Sequence, residues 1–216
     1  MVREVGENSL FIHIPKTAGK SVTKSLGLEH QSSDHSVKNL PEDWESRFRF
    51  CFVRDPVDRL LSALNYHLRL GLMMVKRQDQ EQEQILPRNQ RNEWVEQFRL
   101  FLSREEPSLD EVINYLVDTG GFKKSIHLRQ QMFWIRKCKP QFIGRVETIT
   151  QDWAYLTSLL SQDQEVNLFS NLMHVNISEK IYDRTAFSEC SAVAIKAFKA
   201  QYKDDLVFIG SSFKQL

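Results

Sequence analysis

The sequence has no apolar run approaching the ~18–20 residues that a membrane-spanning helix needs. Its first residues, Met1-Val2-Arg3-Glu4-Val5-Gly6-Glu7, are too polar for a secretory leader. It also lacks an excess of charge: Lys and Arg number 29 against 28 Asp and Glu, a formal net charge of +1. Non-specific nucleic-acid binding depends on a broad phosphate-neutralising surface, so no nucleic-acid partner is expected and any basic residue that matters must act locally. Cysteine is scarce as well. Cys51, Cys138 and Cys190 are odd in number, widely spaced and free of metal-type pairing. That pattern implies reduced, buried thiols, no bound metal and a cytoplasmic protein, with an excised lumenal domain as the alternative.

What is present suits one domain. The 216 residues are 41% hydrophobic and include 14 Phe, enough for a sizeable core over residues 1–216. The most informative stretch is Leu10-Phe11-Ile12-His13-Ile14-Pro15-Lys16-Thr17-Ala18-Gly19-Lys20-Ser21. Leu10 to Ile14 has the length and β-branched content of a buried strand, and Pro15, with no N–H to give, ends it. A small-residue turn, Thr17-Ala18-Gly19, then leads into a helix from Lys20. Strand, tight turn and helix start bring unpaired backbone N–H groups together, and Lys16, Thr17, Lys20 and Ser21 add side-chain donors. Two readings compete: an ordinary strand-to-helix turn with a surface lysine, or a loop that grips phosphate or sulfate. The Walker A pattern is met only at its end, by Gly19-Lys20-Ser21, because Ile14 stands where its first glycine belongs.

Residues 28–41 are polar and read as a loop, and Arg47 to Val53 as a second strand. Asp55 and Pro56 are a good N-cap and first helical residue, and Val57, Leu60, Leu61, Leu64 and Leu68 follow a helical stripe. Arg54 stands at the strand end, and Ser62 lies off the stripe on the side of Arg59 and Tyr66. Each alone fits a surface ion pair or an idle helix serine. Residues 76–93 are rich in Gln, Arg and Glu, as in a polar mobile insertion or an exposed helical extension. Core stripes follow at Trp94, Phe98, Phe101 and Leu102 and at Leu109, Val112, Ile113 and Leu116. Ser125 to Ile135 reads as a partly buried helix or a site wall, and Phe142 to Glu147 as a strand ending in a turn.

The first stretch resembles the 5′-phosphosulfate loop of sulfotransferases, Pro-Lys-Thr-Ala-Gly-[Thr/Ser]-Ser, with Lys20 in place of the usual Thr. Val53-Arg54-Asp55-Pro56-Val57-Asp58-Arg59-Leu60-Leu61-Ser62 resembles the family's second signature, in the right order along the chain. His127-Leu128-Arg129-Gln130-Gln131 is similar to the His-x-Arg-x-Gln of carbohydrate sulfotransferases. Gly144-Arg145-Val146-Glu147, His174-Val175-Asn176 and a C-terminal Tyr202-x-x-Asp205 segment ending at Gly210 are further likenesses. The chain thus resembles the 3′-phosphoadenosine-5′-phosphosulfate (PAPS)-dependent sulfotransferase family, of the carbohydrate, heparan 2-O-like type.

The resemblance implies an α/β fold with a P-loop-like central, mostly parallel sheet flanked by helices. It implies PAPS as co-substrate, adenosine 3′,5′-bisphosphate (PAP) as product, no metal, and a hydroxyl-bearing acceptor, a glycan or glycolipid. Lys16, Thr17, Ala18, Gly19, Lys20 and Ser21 then hold the 5′ side, Arg54 and Ser62 the 3′-phosphate, and Arg145 lies near the nucleotide. Lys16 also neutralises the leaving oxygen. Weaker acceptor candidates are His127 and Arg129. Among six histidines, His35 is the chosen general base, with His30, His67 and His127, and Asp34 or Glu147, as the other candidates. A metal-dependent P-loop kinase and a PAP-binding module without catalysis remain the alternatives.

Overall fold

The computed structural model describes residues 2–28, 40–80, 92–161, 172 and 181–211. They fall into two compact units: residues 1–55, 130–178 and 207–216 in the first, 56–129 and 179–206 in the second.

Among the described residues, the first unit is built on a four-stranded sheet in the order β1-β2-β3-β4. β2 (Ser9–Ile12) is buried at every position, as its apolar composition demands. It is shorter than the run Leu10 to Ile14 because His13 and Ile14 already belong to the loop that follows. β3 (Phe48–Val53) lies parallel to β2, with Ile12 opposite Cys51, and β4 (Phe142–Arg145) lies parallel to β3, with Val53 opposite Arg145. β1 (Val2–Val5) adds an antiparallel edge strand that its polar sequence does not announce. The result is α/β, with a mostly parallel sheet flanked by helices.

Alternation along the strands sorts the two faces of the sheet. Phe11, Phe50 and Phe52 pack with Val22 of α1 (Gly19–Ser25) and with Trp153, Leu156 and Leu160 of α7 (Ile149–Leu160). Leu10, Ile12, Cys51 and Val53 point the other way and are equally buried. On that side Cys138 of α6 (Met132–Cys138) lies close enough to Cys51 to add to the rise in thiol pKa that burial causes. None of the three cysteines is in a disulfide.

Arg49 ties the starts of β3 and β4 together. Its buried guanidinium donates to four carbonyls, Trp44 O (2.8 Å), Glu45 O (2.7 Å), Arg47 O (2.8 Å) and Lys139 O (3.2 Å). The Gln141 side chain accepts from Arg49 N–H (2.7 Å), and Gln141 N–H donates to Arg49 O (2.7 Å). The loop before β3 is thereby fixed at the sheet edge where the strands begin.

The second unit is helical. α2 (Pro56–Asp79) and α3 (Glu93–Arg104) pack together, and Gly71 is the point of closest approach. A Cβ at Gly71 would stand 2.3 Å from the carbonyl oxygen of Arg99. α4 (Leu109–Asp118) opens on a capping box between Ser108 and Glu111, which holds the Glu111 carboxyl below its usual pKa. α5 (Gly121–Lys124), α8 (Arg184–Ser188) and α9 (Ala192–Gln201) complete the unit, and α10 (Lys203–Ser211) is the last described element. The apolar stripes fill its core: Leu60, Leu61, Leu64 and Leu68 meet Phe98, Leu102, Val112, Ile113 and Leu116. Of the polar stretch 76–93, residues 76–79 form the last turn of α2 and Glu93 opens α3, while 81–91 lie outside the described residues. No helix among the described residues is long and apolar enough to cross a membrane.

Candidate functional site

Beyond Ile12 the chain turns sharply. Lys16 (φ 69°) and Ala18 (φ 58°) are both left-handed, on either side of Thr17. A residue with a Cβ pays roughly 1–2 kcal/mol for that conformation, so the surroundings must over-determine it. Thr17 does part of this: it is fully buried, and its hydroxyl donates to Ile14 O (2.9 Å). Val22 N–H donates to Ala18 O (3.1 Å), the first bond of α1, so the N–H groups of Gly19, Lys20 and Ser21 precede the helical ladder. Left-handed residues placed one apart in this way turn successive N–H groups into a concave cradle suited to an anion. Lys16 is half-buried beside it, Ser21 is buried and Lys20 is exposed.

Gly19 has a purpose that composition does not show. Its φ is not left-handed; the need is for space. A Cβ there would stand 1.8 Å from Nε2 of His13, whose ring stacks on Phe11 at 5.7 Å. The imidazole of His13 therefore lies against the first residue of α1.

Because β2, β3 and β4 are parallel, their ends bring the Lys16 loop, Arg54 and Arg145 to one edge of the sheet. This is the edge at which open α/β sheets bind ligands. The backbone just after β3 is held on several sides. Val146 N–H donates to Val53 O (2.9 Å), and Asp55 N–H donates to Glu147 Oε1 (2.7 Å). Arg54 N–H donates to Gln131 Oε1 (2.9 Å), and Gln131 Nε2 donates to Arg54 O (2.8 Å). Glu147 also pairs with Arg145, Oε2 to Nε at 3.3 Å, and Arg145 N–H donates to Asp152 Oδ2 (2.6 Å). Asp152 accepts from Thr148 as well (2.8 Å), which fixes the turn between β4 and α7. Gln131 lies inside the His-x-Arg-x-Gln likeness, yet only its contact with Arg54 shows what it touches.

Ser62, His127 and Arg129 belong to the second unit. Ser62 is half-buried on α2. His127 and Arg129 lie in a non-helical link between α5 and α6, not in a helix running through Ser125 to Ile135. Two buried groups hold that link from below: Arg59 Nη1 donates to Arg129 O (2.8 Å) and the Tyr202 hydroxyl to Leu128 O (2.7 Å). Burial, the larger influence, raises the Tyr202 pKa well above the ordinary phenol value. The half-buried His127 ring lies 4.8 Å from that of Tyr66 and 5.2 Å from that of His67. His67 is fully buried, with Arg99 Nε donating to its Nδ1 (3.4 Å) and Nε2 facing Ser125 Oγ (3.2 Å). A guanidinium can only donate, so Nδ1 accepts and Nε2 carries the proton. His30, Asp34, His35, His174 and Asn176 lie outside the described residues.

The chain matches no curated protein and no solved structure. The sequence model of the sulfotransferase family matches residues 6–209, from the turn before β2 into α10. With nearly the whole chain inside that match, including the Lys16 loop and the strand ends beside it, this protein belongs to the sulfotransferase family.

Proposed function

We propose that the chain, acting as a single domain over residues 1–216, transfers the sulfuryl group of PAPS to a hydroxyl of a carbohydrate acceptor, on a glycan or glycolipid. The observation that carries this reading is the cradle of residues 16–21, with left-handed Lys16 and Ala18, at the end of β2 in a chain of this family. When bound, PAPS supplies the activated sulfuryl group; the chain positions it and neutralises charge. The N–H groups of Thr17, Ala18, Gly19, Lys20 and Ser21, with the Ser21 hydroxyl, surround the 5′-phosphosulfate, and Lys16 meets the charge that grows on the departing phosphate oxygen. Arg54 grips the 3′-phosphate through paired, charge-assisted hydrogen bonds, and Arg145, which pairs with Glu147, lies near the nucleotide at the same sheet edge. Ser62 joins Arg54 through the likeness of its motif alone, as His127 and Arg129 join the acceptor side. The acceptor hydroxyl gives its proton to His35 as its oxygen attacks sulfur and the bond to the 5′-phosphate breaks, leaving PAP. The scarcity of cysteine fits a cytoplasmic place of action.

Calorimetric titration with PAP, with ATP as comparison and EDTA throughout, tests the reading. PAP should bind at least about tenfold more tightly than ATP. Lys16→Ala and Arg54→Ala should each weaken PAP, and His35→Ala should leave PAP binding intact while abolishing transfer to glycan acceptors from labelled PAPS. A preference for ATP that requires Mg²⁺ would replace this reading with a kinase. PAP binding without transfer to any acceptor would leave a binding module.

A further inference from the structure

Gln131 meets Arg54 in a way that no motif states. β2 pairs with β3 only as far as Ile12 and Cys51, so Arg54 lies beyond the end of that ladder. There the Gln131 side chain takes the part of a neighbouring strand: its Oε1 accepts from Arg54 N–H (2.9 Å) and its Nε2 donates to Arg54 O (2.8 Å). The orientation of the amide is fixed by chemistry, since the reverse would set NH₂ against N–H and oxygen against oxygen. Gln131 is itself immobilised. It is fully buried, and its carbonyl accepts from Trp134 N–H (3.0 Å) and Ile135 N–H (3.3 Å) at the start of α6. Trp134 in turn is fully buried. A rigid helix start thus holds one peptide of a loop at the point where strand geometry has run out.

We infer that Gln131 is a positioning residue for Arg54, and through it sets the preference for a nucleotide that carries a 3′-phosphate. The inference rests on the proposed role of Arg54. A guanidinium makes two parallel bonds to a phosphate only if its stem starts from a fixed place, and a 1 Å error is enough to break the pairing. Removing Gln131 leaves the Arg54 side chain intact but frees the backbone that aims it. Ligands that lack the 3′-phosphate have no such dependence. Discrimination therefore falls while the rest of the cradle keeps its affinity.

The test compares PAP with AMP, which lacks the 3′-phosphate, by calorimetric titration of the full chain and of Gln131→Met, which keeps side-chain length and loses both bonds. The wild type should prefer PAP. Gln131→Met should weaken PAP by about tenfold and leave AMP within about twofold, so the ratio collapses. In Arg54→Ala, adding Gln131→Met should cost nothing further in PAP affinity, because residues that act through one another are not additive. Gln131→Asn, which keeps the amide but is one methylene too short to reach both Arg54 N–H and Arg54 O, carries the test if Gln131→Met does not fold, with a fall in the PAP-to-AMP ratio expected. An unchanged ratio in the folded variant, equal loss of PAP and AMP, or additive losses in the double variant would overturn the role of Gln131. A wild type that binds PAP no better than AMP would instead overturn the assignment of Arg54.

Discussion

At the scale of single residues, the loop after β2 depends on fit rather than on flexible chemistry. Its left-handed positions fall on Lys16 and Ala18, and its glycine is there because His13 occupies the space a Cβ would take. Gly19→Ala should therefore drive the His13 ring off Phe11 or push the loop aside, weakening PAP by about tenfold. The double variant His13→Ala/Gly19→Ala should recover most of that affinity, since the obstruction is gone. Calorimetry on the three proteins decides the matter, and a double variant as weak as Gly19→Ala would show that the glycine serves something other than His13. The loop itself is legible in the sequence as strand, Pro15 and small residues. Its geometry is not, because lysine and alanine carry no local signal for a positive φ, which only the packed surroundings impose. Gln131 is likewise visible as a letter in a motif and invisible as a partner of Arg54, because that contact joins positions 77 apart in sequence.

The helices α2, α3 and α4 are legible as elements because their apolar residues recur at helical spacing, and those residues do form the core of the second unit. Segments with weaker periodicity mislead. Ser125 to Ile135 has the composition of one helix, but Leu128 and Arg129 give their carbonyls to Tyr202 and Arg59, which suits a turn between α5 and α6. β1 hides for a different reason: Val2-Arg3-Glu4-Val5 is a half-exposed edge strand whose polar middle residues break the apolar alternation. Where two helices meet most closely, the constraint is strict. Gly71 packs on the backbone of Arg99, which cannot move as a side-chain tip could. Gly71→Ala should destabilise the protein by roughly 1–3 kcal/mol even though alanine is the better helix former. Urea denaturation would show it as a lower midpoint, whereas a raised midpoint would mean that α2 and α3 separate at little cost.

For the molecule as a whole, buried and half-buried acids have been pushed toward their neutral forms. The Tyr182 hydroxyl, which donates to Pro107 O, is raised to about 12, first by burial and then by Glu111 and Glu106. The Cys190 thiol is raised to about 11, first by burial and then by Asp110. A folded state that keeps protons the unfolded chain has lost is favoured below the unfolded pKa and loses that advantage as pH rises toward the folded one. Stability should therefore fall between about pH 9 and 12, and Tyr182→Phe should flatten the part of the fall above about pH 10. Equilibrium unfolding followed across that range checks both, and an equal slope in the variant would remove Tyr182 from the account. The α/β class is legible from the order of strands and helices, but the division into two units is not, because no change of composition marks residues 55–56 or 129–130. That division means each unit is assembled from separated lengths of chain: Arg49 at the head of β3 waits for Gln141, 92 positions later. During synthesis, at about 5–20 residues per second, that wait lasts on the order of 5–20 s. For that time Phe48-Arg49-Phe50-Cys51-Phe52-Val53 has left the ribosome's active centre without the partner strand on its outer side. The nascent chain thus carries a phenylalanine-rich, open strand edge, a natural client for a holding chaperone and the stretch most exposed to self-association when expression is fast.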